Sequence, residues 1–288
     1  MDIKNVVENT AVELLRRAEI NLPPDVLQVL NKAYNEETSE LGKSQLGAIL
    51  ENIKLAENLK TPICQDTGLM IFYVTIGNQF GDFAFIPDAL TEATRRATRD
   101  IPLRPNAVHP LSRKNSGDNV GKDIPVITYN ITNGDYIELT ALPKGGGSEN
   151  MSVLSMLTPS QGVKGLKQFV IDTVVASGGK PCPPTVIGIG IGGTADYAVK
   201  LAKKALLRSL DQPNPDRDIA QLEKELLEMV NATGVGPMGL GGKFTALGLN
   251  IEYAYCHTTA LPVGINIQCW AGRRATAKIH KDGKVEYI

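Results

Sequence analysis

The sequence lacks the features that would assign it to several large functional classes. No run of apolar residues approaches the roughly 18 that a membrane-spanning helix needs. There is no block of basic residues and the formal net charge is −1, so neither a nucleic-acid surface nor an anionic-membrane surface is indicated. The first ten residues include Asp2 and Glu8 and have no signal-like apolar core, so the expected location is the cytoplasm.

Cysteine is scarce, and its four copies are never close in sequence. A disulfide framework is not expected in a reducing cytoplasm. The absence of C-x-x-C argues against a zinc knuckle and a ferredoxin-type run. Buried apolar packing is the simplest interpretation, but Cys64, Cys182 and Cys269 stand beside Pro or Gly at the ends of strand-like segments. Three such thiolates can hold three corners of a [4Fe–4S] cluster, which is one option among several.

Apolar residues make up 42% of the chain, which is enough to fill a core. Their helical spacing predicts helices over residues 1–60, and Pro23-Pro24 opens the second of these. Afterwards, β-branched and aromatic runs alternate with helical patterns. We predict an α/β (mixed) fold, a single domain over 1–288 with a helical segment at 1–60, then mixed sheets with flanking helices at 61–288.

Two hairpins are predicted from their turn residues. Asn133-Gly134 separates strand-like runs at 124–131 and 136–142, and a second turn at Asp282 lies in the last strand pair. Asn-Gly and Asp-Gly are strong hairpin signals. We therefore expect the strands that flank each turn to be neighbours in a sheet.

A glycine string at 188–193 follows an apolar run, as a dinucleotide-binding loop would. That motif also requires a second strand ending in Asp or Glu about 20 residues further on, and no such strand is predicted there. We favour a loop whose backbone approaches another group closely, and keep a nicotinamide-dependent oxidoreductase using Gly188–Gly193 as an alternative. Gly234–Lys243 resembles a phosphate-binding loop, but Pro237 and Phe244 break that motif.

Five motifs occur between about residues 60 and 275: PICQDTG, KGGGSEN, GKPCPPTVIGIGIGG, GVGPMGLGGKFTALG and CHTTALPVGINIQCWAGRR. Together, and in this order, they resemble the class I, iron–sulfur fumarate hydratase and L(+)-tartrate dehydratase family. The resemblance is to the α subunit of the two-chain form, or the N-terminal half of the one-chain form, and implies a class I fumarase N-terminal-domain-like fold. Because the chain stops at Ile288, we expect a separate β subunit and an α2β2-type oligomer.

The resemblance implies that Cys64, Cys182 and Cys269 bind a [4Fe–4S] cluster with an open iron acting as a Lewis acid. The implied reaction is the reversible dehydration of (S)-malate to fumarate, a step of the tricarboxylic acid cycle. L(+)-tartrate dehydration is the alternative within the family, and a non-catalytic zinc-binding subunit is a further one. No convincing base for the substrate C3 proton is found here, so we expect the β subunit to supply it.

The resemblance also implies the residues that contact the small dicarboxylate substrate. Asp66 is implied as the acid/base beside the leaving hydroxyl, with an Asx turn as the structural alternative. His257 is implied as a catalytic or proton-relay group, and its neighbour Cys256 is interpreted as buried filler. The implied substrate-binding residues are Gln65, Asp66, Arg104, Gly146 and Asn150.

Overall fold

The computed structural model describes residues 2–288 and combines helices with two mixed sheets, which confirms the predicted α/β class. Helices occupy the predicted N-terminal segment, and Pro24 opens the second of them. Within residues 2–288, none of the helices has the length and apolar character needed to cross a membrane. The helices are α1 (Ile3–Ile20), α2 (Pro24–Glu36), α3 (Glu40–Leu59), α4 (Ile86–Asp100), α5 (Gly146–Glu149), α6 (Gly162–Ser177), α7 (Ala195–Ala205) and α8 (Arg217–Ala232).

The strands form a five-stranded sheet in the order β2-β1-β3-β8-β9 and a four-stranded sheet in the order β4-β7-β5-β6. The last two strands of the chain pair antiparallel, which confirms the hairpin predicted at Asp282. The strands are β1 (Ile71–Gly77), β2 (Val126–Thr132), β3 (Tyr136–Ala141), β4 (Val153–Leu157), β5 (Thr185–Gly193), β6 (Ala246–Cys256), β7 (Leu261–Gln268), β8 (Ala275–His280) and β9 (Val285–Tyr287).

The chain divides into two compact units, each made of segments that are not consecutive in sequence. The first unit contains the residues up to Pro23, then Asn52–Gly146 and Arg273–Ile288. The second contains Pro24–Glu51 and Gly147–Gly272. That the whole chain acts as a single domain stays a prediction.

In the first unit, β1 lies between β2 and β3, so the hairpin predicted at Asn133-Gly134 is wrong. β1 pairs parallel with β2 and antiparallel with β3. The Asn133-Gly134 turn instead crosses the end of β1, where Gln79 N–H donates to the Gly134 carbonyl at 2.8 Å. Gly77 ends β1, and a Cβ there would lie 2.4 Å from the Gly134 oxygen, so only glycine allows this crossing.

The core of the first unit lies between the five-stranded sheet and α1 and α4. Leu14 and Leu15 of α1 are fully buried, as are Phe72 of β1 and Leu139 of β3. They belong to one apolar cluster with Ala93 and other small residues of α4. The apolar residues of α1 recur at helical spacing, so they share one face of the helix, and that face packs on the sheet.

In the second unit, the glycine string is part of β5 and not a loop, so that prediction is wrong. Ile187 and Ile189 point into a core formed with α6 and α8. Alternation along a strand directs Gly188 and Gly190 to the opposite face. There a Cβ would lie 2.1 Å and 2.0 Å from carbonyl oxygens of α7, so the glycines let this helix pack directly on the strand.

Candidate active site

Asp66 lies in the turn between α3 and β1, and backbone amides anchor both of its carboxylate oxygens. Oδ1 accepts a hydrogen bond from Gly68 N–H at 3.1 Å, which is the Asx turn considered from the sequence. Oδ2 accepts from Gly146 N–H at 2.8 Å. Asp66 is half-buried. The Asx turn and a role at the site are therefore compatible, because the second oxygen reaches beyond the turn to the KGGGSEN segment.

The close approach of these two segments depends on Gly68. Leu69 and Lys144 exchange backbone hydrogen bonds of 3.0 Å in each direction. Gly68 has a φ of +75°, and a Cβ there would lie 2.5 Å from the Lys144 carbonyl carbon. Only glycine both adopts this positive φ readily and leaves room for the Lys144 backbone. The close approach of the two segments places Gly146 N–H within hydrogen-bonding distance of Asp66.

A buried ion pair that sequence reasoning missed lies next to Asp66. Arg273 Nη1 donates to Glu19 Oε2 at 2.7 Å, and the side chains are only 1% and 0% exposed. A Cβ added to Gly145 would lie 2.9 Å from Asp66 Oδ2 and 3.4 Å from Arg273 Nη2, so both groups lie near this glycine. Burial raises the pKa of Glu19 to about 7, although Arg273 acts to lower it. The negative charge of Asp66 adds to the rise.

One signal in the sequence points to Glu19. It follows Ala11 and Leu15 at spacings of four, so it belongs to the buried face of α1. A carboxylate is rarely fully buried unless it is paired. The sequence does not identify the partner, because Arg273 is 254 residues away.

Arg104 is held beside the Asp66 turn through its backbone. Its N–H donates to Thr67 Oγ1 at 3.1 Å, and its carbonyl accepts from Asn119 Nδ2 at 2.9 Å. The side chain of Arg104 is exposed, as is that of Gln65. The first unit therefore contains Gln65, Asp66, Arg104 and Gly146, and Gly146 N–H is engaged by Asp66.

The cysteines are in the thiol form, and those predicted as cluster ligands are all partly exposed. In the second unit, Trp270 N–H donates to the Cys182 carbonyl at 3.2 Å, so Cys182 and Cys269 lie on adjoining segments. The antiparallel pairing of β5 with β7 explains this, because Val186 is opposite Gln268. In the first unit, Cys64 Sγ accepts from Asp66 N–H at 3.4 Å.

The donor chemistry of these cysteines fits an iron–sulfur cluster. Within residues 2–288, no three His, Cys, Asp or Glu side chains form a group that could hold a single metal ion. In a cluster, however, each cysteine binds a different iron. Cys182 also has a φ of +54°, a conformation that non-glycine residues adopt uncommonly. Backbone strain of this kind concentrates at functional sites.

The second unit contains His257 and Asn150, and both are exposed. His257 lies in the turn after β6, where its Nδ1 accepts from Thr259 N–H at 3.2 Å. The interpretation of Cys256 as buried filler is wrong. Cys256 is exposed and its thiol donates to the Ala260 carbonyl at 3.1 Å, because β6 extends beyond the core at this end.

In the first unit, an amide-anchored carboxylate thus lies near a buried arginine, while the thiols of Cys182 and Cys269 belong to the second unit. The model of the fumarate hydratase (Fumerase) family matches residues 8–278, so the chain belongs to this family and is a hydro-lyase.

Named relatives agree with this assignment. A Methanocaldococcus jannaschii protein, provisionally named L(+)-tartrate dehydratase subunit alpha, is 52% identical over 97% of this chain and 99% of its own length. L(+)-tartrate dehydratase subunit alpha of Escherichia coli strain UTI89 is 35% identical, over 91% of this chain and 86% of its own. The protein of that name from Shigella sonnei is 34% identical over the same shares.

Proposed function

We propose that the chain is the alpha subunit of a two-subunit [4Fe–4S] hydro-lyase, and that it catalyses the reversible dehydration of (S)-malate to fumarate. The family assignment supports the reaction type. The observation that carries the proposal is Asp66, whose carboxylate is anchored by two backbone amides two residues after a partly exposed cysteine. In its protonated form, such a carboxyl group can give its proton to a leaving hydroxyl group.

We assign the cluster to Cys64, Cys182 and Cys269, whose thiols are partly exposed. When bound, the cluster supplies a Lewis acid that assists the departure of hydroxide. The chain's own residues then hold the substrate and move protons. Asp66, when it carries a proton, transfers it to the leaving oxygen and becomes a carboxylate, and the hydrogen bond from Gly146 N–H keeps the group in place.

The exposed side chains near Asp66 suit a dicarboxylate. The guanidinium of Arg104 can bind a carboxylate through two parallel hydrogen bonds, and the amide of Gln65 can donate to a hydroxyl or carboxylate oxygen. In the second unit, Asn150 offers another exposed amide, and His257 is proposed as a proton relay.

We further propose that a β subunit supplies the base for the C3 proton, in an α2β2-type complex located in the cytoplasm. The names of the relatives as alpha subunits support the need for a second chain. No nucleic-acid or membrane partner forms part of the proposal.

The proposal is tested by anaerobic co-expression with the β subunit, which would be identified from the same genome. The purified complex is expected to be brown, to contain iron and sulfide, and to convert malate to fumarate. The chain alone, with its cluster reconstituted, is expected to show little activity. Full malate turnover by the chain alone would contradict the two-subunit proposal, and a colourless anaerobic complex would contradict the cluster.

L(+)-tartrate dehydration is the second candidate, and the names of the relatives favour it. Tartrate differs from malate by one additional hydroxyl group, so the same acid, arginine and amides serve both substrates. The same complex should be assayed with both substrates at equal concentration. A kcat/KM for L(+)-tartrate above that for malate would replace the malate assignment and leave the hydro-lyase reaction unchanged.

A further inference from the structure

The Glu19–Arg273 pair is not explained by stability alone. Both side chains are almost completely buried, at 0% and 1% exposure. Removing two charges from water carries a penalty that their attraction repays only with good geometry, and apolar side chains of similar volume are often as stabilising. The position of the pair, next to the Asp66 carboxylate, therefore calls for a role at the site.

The two terminal nitrogens of the Arg273 guanidinium lie near different groups. Nη1 donates to Glu19 Oε2 at 2.7 Å. Nη2 lies near Gly145, where an added Cβ would be 3.4 Å from Nη2 and 2.9 Å from Asp66 Oδ2. A guanidinium is planar and its nitrogens are fixed relative to each other. Holding Nη1 on Glu19 therefore determines the direction in which Nη2 points.

Glycine at position 145 leaves room for the Asp66 carboxylate and the Arg273 guanidinium to lie near each other. A Cβ at this position would be only 2.9 Å from Asp66 Oδ2, which is closer than real Cβ contacts allow. With glycine there, the same carboxylate oxygen is also close enough to accept from Gly146 N–H at 2.8 Å. Asp66 is thus bound by the Gly68 and Gly146 amides, and Arg273 Nη2 lies near the same glycine as its Oδ2.

We propose that Glu19 and Arg273 are positioning residues for Asp66: Glu19 fixes the Arg273 guanidinium, and that guanidinium keeps the Asp66 carboxylate in the orientation bound by Gly146 N–H. This inference rests on the proposed function, in which Asp66 is the acid/base. It adds to the site two residues that make no predicted contact with substrate. The hydrogen bond from Arg273 to Glu19 is its essential feature.

The test compares three substitutions in the complete complex with the β subunit. Glu19→Ala removes the acceptor, and kcat is expected to fall about 10- to 100-fold with little change in KM. Glu19→Gln keeps an oxygen that accepts from Arg273 Nη1, so it should recover most of the lost kcat. Glu223→Ala is the matched control, because it breaks the buried Arg208–Glu223 pair of the second unit and should leave kcat unchanged.

Hydrogen exchange gives a readout that does not depend on turnover. Gly146 is exposed, so its amide exchanges rapidly unless Asp66 binds it. Mass-spectrometric exchange of peptides containing Gly146 should be slow in the wild-type complex, in Glu19→Gln and in Glu223→Ala. It should be fast in Glu19→Ala and in Asp66→Ala.

Specific outcomes would overturn the inference. The inference fails if Glu19→Ala keeps the wild-type kcat and slow exchange of the Gly146 amide. It also fails if the kcat of Glu19→Gln is as low as that of Glu19→Ala. If Glu19→Ala does not assemble, Arg273→Lys replaces it, because a lysine keeps the charge but lacks the two-pronged geometry, and the same losses are expected. If the wild-type complex dehydrates neither malate nor tartrate, the proposed function fails, while the exchange measurements still test the positioning.

Discussion

Substitution of Glu19 by Gln should change how the stability of the protein depends on pH. Burial raises the pKa of Glu19 from its ordinary value of 4.5 to about 7 in the folded state. Below pH 4.5 the group is protonated in both the folded and the unfolded chain, so it contributes no pH dependence. As the pH rises from 4.5 to about 7, the unfolded chain loses the proton and the folded chain keeps it. The free energy of unfolding therefore falls until the pH passes about 7.

The size of this fall follows from the difference between the two pKa values. One pKa unit corresponds to about 1.4 kcal/mol. The rise from 4.5 to about 7 thus corresponds to a loss of roughly 3 kcal/mol between acidic and neutral pH. Glutamine does not titrate, so the variant should lack this component. Any constant effect of the substitution on packing or on Arg273 shifts the whole curve and leaves its slope unchanged.

The measurement is urea unfolding of the wild type and of Glu19→Gln, followed by circular dichroism at several pH values from about 4.5 to 8. We expect the stability of the variant relative to the wild type to increase by roughly 3 kcal/mol across this range. Parallel curves for the two proteins would refute the reasoning, because they would show that Glu19 does not keep its proton on folding.

Three further predictions concern the cluster, the acid and the fold. Cys182→Ser should abolish the visible absorbance of the anaerobically reconstituted cluster, whereas Cys256→Ser should retain it; a full cluster in the first variant would remove Cys182 from the ligand set. Asp66→Asn should lower kcat by about 10²- to 10⁴-fold without loss of the cluster, since it removes the proton donor; wild-type activity would exclude Asp66 as the acid. Gly77→Ala should lower the free energy of unfolding by about 1–3 kcal/mol, because its Cβ would meet a carbonyl oxygen at 2.4 Å. Gly121→Ala, which meets nothing within 4 Å, is its control, and equal stabilities of the two variants would contradict the crossing at β1.

Local patterns predicted the elements better than their arrangement. The helical spacing of apolar residues and the proline at Pro24 located the N-terminal helices. The turn residues at Asn133-Gly134 were also recognised, but the strands they join are not neighbours, because β1 occupies the place between them. A turn signal reports the backbone conformation of a few residues. It does not report which strand fills the adjacent edge.

The candidate site shows the same division. Cys64, Asp66, Arg104 and Gly146 were all predicted by resemblance, and the first two lie in one short motif. Glu19 was missed because a single carboxylate in an apolar helix face has no motif around it. Its importance depends on Arg273, which only the folded chain brings to it.

By itself, the sequence determined the family, the α/β class and the short segments that contain the proposed acid and the thiols. Those features depend on residues close together in the chain or on motifs in a fixed order. Only the tertiary structure decided that the glycines of β5 serve the packing of α7, and that a buried arginine links Glu19 to the neighbourhood of Asp66. Such contacts form when distant segments bury their surfaces against each other and exclude water. The local sequence of one segment does not identify the other.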